Sequence, residues 1–132
     1  MFEQLTPKGW AKPKGYSNGL VTEGKLIILG GQIGWNAQQE FESDDFVEQT
    51  RQTLQNIADL LAEAGAGPAN VARLTWFITD REAYLANQKA LGSAYRDVMG
   101  RNFPTMSVVQ VVKLMEERAL VEIEATAILP NH

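Results

Sequence analysis

The sequence predicts an α+β sandwich in which two helices cover one face of a mostly antiparallel sheet. Three observations lead there. Segments of period-2 and period-3.6 hydrophobicity follow one another in the order β-β-α-β-α-β-β. Only short turn signals separate them, without a long linker, repeat or low-complexity tract, so residues 1–132 read as one domain. A chain of 132 residues is also the size of one compact unit, able to bury roughly two-thirds of its unfolded surface without staples.

Each element has its own signal. Gly19 to Ile33 reads as two strands joined at Thr22-Glu23-Gly24-Lys25, a hairpin in which Gly24 takes the positive φ of a tight turn. Ser43-Asp44-Asp45 supplies an N-cap with acids in the first turn. Phe46, Val47, Thr50, Leu54, Ile57, Leu61 and Ala64 then keep helical spacing up to Gly65, an amphipathic helix of about six turns. Gly65-Ala66-Gly67-Pro68 follows that helix, so it is a C-cap and loop and not a phosphate cradle. Val71 to Ile78 is rich in β-formers, and Thr79-Asp80-Arg81-Glu82 fits a capping box opening a second helix that ends near Gly100. Phe103-Pro104 disfavours helix; Thr105 to Leu114 and Leu120 to Leu129 read as two last strands, paired around Met115-Glu116-Glu117-Arg118.

The second face of the sheet needs a covering. In the last strand Val121, Ile123, Ala125 and Ala127 alternate with Glu122, Glu124, Thr126 and Ile128. Leu26 to Leu29 and Val108 to Val112 are apolar on both faces, more than one helix layer requires. A homo-oligomer closed over that face is the expectation.

Composition excludes several chemistries. The chain has no cysteine and one histidine, His132, which reads as a frayed end. Disulfides, thiolate nucleophiles, zinc clusters and Ser-His-Asp triads are therefore not expected. Met1-Phe2-Glu3-Gln4-Leu5-Thr6-Pro7 has no basic n-region before an apolar h-region, and no run approaches a membrane span, so a soluble cytoplasmic protein without a membrane partner is expected. The net charge of -4 gives little attraction to nucleic acid.

The motifs resemble one family. They are Gly15-Tyr16 followed by Gly19, Gly30-Gly31-Gln32-Ile33, the helix face Gln49-x-x-Gln52-x-x-x-Asn56, Asn87, Phe103-Pro104-Thr105-Met106-Ser107, and Val121-Glu122-Ile123-Glu124-Ala125. Together they resemble the RidA/YjgF family of reactive-intermediate deaminases. The resemblance implies a chorismate-mutase-like fold, a homotrimer whose sheets form a central barrel, and clefts between subunits that bind small molecules. It further implies hydrolysis of 2-imino acids and their enamine tautomers to 2-keto acids and ammonia, without metal or cofactor. RNA cleavage has also been attached to the family; Lys8, Lys12 and Lys14 interleaved with Trp10 and Tyr16 are its local support, although a basic arm is the competing reading and nucleic acid is not the expected partner.

The family's Pro-x-Arg-Ser stretch reads Pro104-Thr105-Met106-Ser107 here. A guanidinium fork holds a 2-imino acid carboxylate bidentately, and a thioether cannot. Losing that contact costs on the order of 2 to 4 kcal/mol, about 30-fold to nearly 1000-fold in binding. Gly30 and Val108 depart in the same direction, standing where serine and cysteine are often found. An apolar or aromatic imine or enamine is thus the expected ligand, with non-catalytic ligand binding as the rival function. Glu122 matches the family's acid, which protonates the imine and orients water; its alternative is a solvated strand carboxylate. Tyr16, Gly31, Gln32, Asn87, Met106 and Val108 are the candidate binding residues. Each has a structural alternative: packing for Tyr16 and Met106, a strand bulge for Gly31, local backbone capping for Gln32 and Asn87. Arg101 and Lys113 lie near the Met106 segment as substitute cations or as surface charge.

Overall fold

Asp45 opens the first helix, α1 (Phe46–Glu63), where its Oδ2 accepts from the Glu48 N–H at 3.0 Å. The helical spacing then places Leu54, Ile57 and Leu61 on one fully buried stripe, each contributing about 1.5–3 kcal/mol by leaving water. In the computed structural model, which describes residues 2–131, that stripe packs on a four-stranded sheet. The reading of His132 as a frayed end lies outside the described residues.

The sheet is built from β3 (Lys25–Ile33), β4 (Val71–Ile78), β5 (Thr105–Gln110) and β6 (Val121–Leu129) in the order β3-β6-β4-β5. The two pairs made by β6 are antiparallel and β4 runs parallel to β5, so the sheet is mixed. Leu74, Trp76 and Ile78 of β4 and Val121, Ile123, Ala125 and Ala127 of β6 face the helices and form the core with α1, Tyr95 and Met99. Arg73, Thr75 and Phe77 of β4 alternate onto the other face, beside Glu122, Glu124 and Thr126. No helix covers this second face among the described residues; Leu26 and Ile28 stand there 56% and 72% exposed. No helix among these residues is long and apolar enough to cross a membrane.

Five sequence expectations are corrected. The N-terminal hairpin does not form. Leu20–Val21 (β2) pairs with Glu3–Gln4 (β1) in a small separate sheet, while β3 pairs with β6. Gly24 does take a positive φ of 142°, but to pass close to β6, because a side chain there would meet the Leu129 carbonyl.

The last two strands are not paired with each other either, because β4 lies between them. Residues 111–120 arch over the end of β4 instead of making a tight turn. The Val111 N–H donates to the Ile78 carbonyl at 2.8 Å, and the Thr79 N–H donates to the Leu120 carbonyl at 3.3 Å. That arch also ends β5 at Gln110, short of the expected Leu114.

The second helix is two: α2 (Arg81–Ala86) and α3 (Gln88–Met99). Asn87 breaks it with φ −117° and ψ 23°, its side-chain amide donating to the Ala83 carbonyl at 2.7 Å. Three helices, not two, therefore back the sheet. Finally, the N-cap is Asp80 and not Thr79: Asp80 Oδ1 accepts from the Ala83 N–H at 3.1 Å.

Candidate active site

The candidate residues fall into two groups. Glu122 lies on the uncovered sheet face, half-buried, paired across the strands with Ile33 and Phe77. The pairing of β3 with β6 shifts between Leu29 and Gln32, a bulge at Gly30-Gly31. The shift brings Gly31 against Glu122, so close that a side chain at position 31 would overlap the carboxylate. The carboxylate has no hydrogen bond or ion pair among the described residues. Gln32 stands next along the strand, its amide donating to the Gly30 carbonyl at 3.2 Å.

Helix α1 holds this group in place. Gln49, 1% exposed, donates from Nε2 to the carbonyls of Ser43 and Arg118, each at 3.0 Å, and accepts from the Leu120 N–H at 2.9 Å. It thereby fixes the entry into β6 two residues before Glu122. Asn56 Nδ2 donates to the carbonyls of Ile33 and Trp35 at 3.0 and 2.8 Å, while its Oδ1 accepts from Gln52 Nε2 at 2.8 Å. The Gln49, Gln52 and Asn56 face is a clamp on the backbone that carries Glu122 and Gln32.

The second group is at the β5 edge. The Ser17 N–H donates to the Pro104 carbonyl at 3.0 Å, and its hydroxyl donates to the Phe103 carbonyl at 2.7 Å. These bonds tie the N-terminal arm along β5 and bring Tyr16, 42% exposed, to Met106. Tyr16 and Met106 line a cavity of about 190 Å³ against α2 and α3, and both also border a more open hollow of about 560 Å³ on the uncovered face. Met106 and Val108 pack partly against the core. Asn87 uses its amide within its own helix turn. Arg101 borders a different hollow with Phe2 and Gln4, and Lys113 lines none of the three.

Met106 pairs with Leu74 and points with it toward the helices, whereas Glu122 points to the opposite face from a strand two positions away. Neither cavity that Met106 borders is lined by Glu122 of the same chain.

Sequence reasoning missed Tyr84, Gln88, Tyr95 and Arg96 in the lining of the 190 Å³ cavity, to which Trp76 of β4 also belongs. The spacing of Tyr84, Gln88, Gly92 and Arg96 at intervals of four was the available signal. Burial pushes the Tyr84 and Tyr95 hydroxyls above the ordinary tyrosine value, a shift that a bond to Gln88 partly offsets at Tyr84. Both rings therefore present neutral O–H groups. Among the described residues no three His, Asp or Glu side chains gather as a metal site would require.

A mixed sheet backed by three helices, with an unpartnered acid on its bare face and an aromatic cavity at its parallel edge, defines the class: the α+β domain of the YjgF/RidA fold. The chain belongs to that family, whose model, described as endoribonuclease L-PSP, matches residues 9–129. A RutC family protein of Haemophilus influenzae is 31% identical over 105 residues, 80% of each chain. The 2-iminobutanoate/2-iminopropanoate deaminase of Escherichia coli is 30% identical over the same length, again 80% of each chain. The crystal structure of the Rid family protein YyfB from Yersinia pestis, of unknown function, superposes with a TM-score of 0.85 at 31% identity, covering 97% of this chain and 98% of that one.

Proposed function

We propose that this protein hydrolyses the C=N bond of small imines, giving a carbonyl compound and ammonia, in clefts between subunits of a homotrimer. The observation that carries the reading is the Glu122 carboxylate, half-buried, without a hydrogen bond or ion pair among the described residues and seated against Gly31. A carboxylate spared any structural bond is free to work on a ligand. The family's 2-imino acid deaminases support the reaction class. Glu122 accepts a proton from water as the water oxygen bonds to the imine carbon and the C=N π pair moves to nitrogen, then returns that proton to nitrogen, giving a carbinolamine. Glu122 next takes the carbinolamine hydroxyl proton and passes it to nitrogen; the C–N bond breaks, ammonia leaves with the bonding pair and the carbonyl forms.

Support for assembly comes from two directions. The apolar face carrying Leu26 and Ile28 calls for a cover. Glu122 lines neither cavity that Met106 borders, which supports a site where the two come from different copies. Met106 in place of arginine favours substrates with an apolar body over the smallest 2-imino acids.

The test generates imines in situ from a panel of amino acids and amines, aromatic ones included, and follows imine loss with and without protein. Wild type is expected to accelerate loss for some members, with Glu122→Gln about 100-fold slower. No acceleration by wild type or by Met106→Arg ends the deaminase reading and leaves ligand binding as the function.

A further inference from the structure

We infer that Arg96, on α3, supplies the carboxylate-binding cation that position 106 lacks, and that the cavity it borders takes 2-imino or 2-keto acids with an aromatic side chain. The inference rests on the reading of the domain as a C=N hydrolase. Arg96 lines the same 190 Å³ cavity as Met106. Its guanidinium carries no ion pair and no hydrogen bond among the described residues. Its place is prepared by Gly92, one turn earlier, where an added Cβ would lie 3.2 Å from Arg96 Nη1. A larger residue at 92 would crowd the fork that Gly92 leaves clear.

The walls argue for the ring. Tyr95 and Phe103 stack with centroids 6.2 Å apart and planes within 15°, and Trp76 meets Tyr84 edge-on at 6.2 Å. Met106 completes an apolar, polarizable lining. Trp76, 3% exposed, adds part of its ring to the same wall. A ligand with a carboxylate for Arg96 and an aromatic ring for this wall matches both features. At 190 Å³ the space is below the roughly 300 Å³ usual for drug-sized molecules, which suits a single ring on a three-carbon acid. Lys14, also on the lining, reinforces the positive charge.

The experiment titrates the full-length protein with phenylpyruvate, a stable product of such a reaction, and with phenylacetone, in which a methyl replaces the carboxylate. Wild type should bind phenylpyruvate more tightly. Arg96→Gln should weaken phenylpyruvate about 10- to 100-fold and leave phenylacetone within twofold, and Arg96→Lys should fall between, because an ammonium lacks the fork. Equal binding of the two ligands by wild type, no binding of phenylpyruvate, or an unchanged affinity in Arg96→Gln overturns the assignment. Parallel turnover of the phenylalanine-derived imine separates the two ideas. Phenylpyruvate binding through Arg96 without turnover removes the hydrolase reading alone, whereas turnover that is insensitive to Arg96→Gln removes Arg96 alone.

Discussion

The carboxylate of Glu122 lies against the α-carbon of Gly31, in the space that any side chain at position 31 would need. The bulge that carries this glycine lets β3 pass beside β6 with the Glu122 side chain lying over it.

Gly31→Ala should therefore act on Glu122. The carboxylate end is flexible and can swing away, so urea unfolding is expected to shift by less than about 1.5 kcal/mol. Imine turnover should nevertheless fall at least tenfold toward that of Glu122→Gln. Full turnover in Gly31→Ala beside an inactive Glu122→Gln would show that the carboxylate works from another position.

Gln49 has the opposite profile. It lines none of the three hollows described above, and its three side-chain hydrogen bonds serve the backbone of Ser43, Arg118 and Leu120. Gln49→Ala leaves two carbonyls and one N–H without partners in a buried place and should destabilise the fold by about 2–4 kcal/mol in urea titration. A loss below about 1 kcal/mol would mean that water replaces the amide at little cost.

Self-association should depend on the uncovered face. Ile28→Lys places a charge at the most exposed apolar position of β3. Sedimentation equilibrium is expected to show a larger assembly for wild type and a monomer for the variant, with unchanged far-ultraviolet circular dichroism. A variant that still assembles would move the interface elsewhere.

Alkaline stability should follow Tyr95. Burial raises its folded-state value above the ordinary tyrosine value of about 10, so above that pH the unfolded chain releases a proton that the native chain keeps. Stability is full below pH 10 and declines above it by about 1.4 kcal/mol per pH unit from this group. Tyr95→Phe should lose a little stability at pH 8, since the hydroxyl donates to the Asn102 carbonyl, and should show a shallower alkaline decline in urea titrations. An equal slope in both proteins would assign the decline to other groups.

The parts of the fold that were legible are those with a local cause. Asp45 and the stripe from Phe46 to Leu61 define α1 by capping and period, and the Val71–Ile78 strand has the bounds its β-formers suggested. What failed depends on partners distant in sequence. Nothing between Gly19 and Ile33 tells that Leu20–Val21 will pair with Glu3–Gln4, and β5 and β6 are parted by β4 because of how the 111–120 arch travels. Asn87 did carry a local signal, a side chain able to compete for the Ala83 carbonyl, which the apolar period on either side concealed. At the site, residue types could be read but not their grouping: which face Glu122 and Met106 occupy follows from strand order and register, and Arg96 meets Met106 only because α3 packs beside Trp76 of β4.

The position of β6 also governs when the molecule can exist at all. β6 is the last strand in sequence, yet β3 has no other partner in the sheet and β4 is bonded to β6 along one whole side. While the chain is being made, Lys25–Ile33 must wait for Val121–Leu129, roughly a hundred residues later, with its apolar edge open. Such late, non-local closure is slow, and it leaves a strand free to pair with a neighbour's during that wait. The nascent chain thus passes through a period in which an apolar strand edge stands open because its only partner in the sheet has not yet been made.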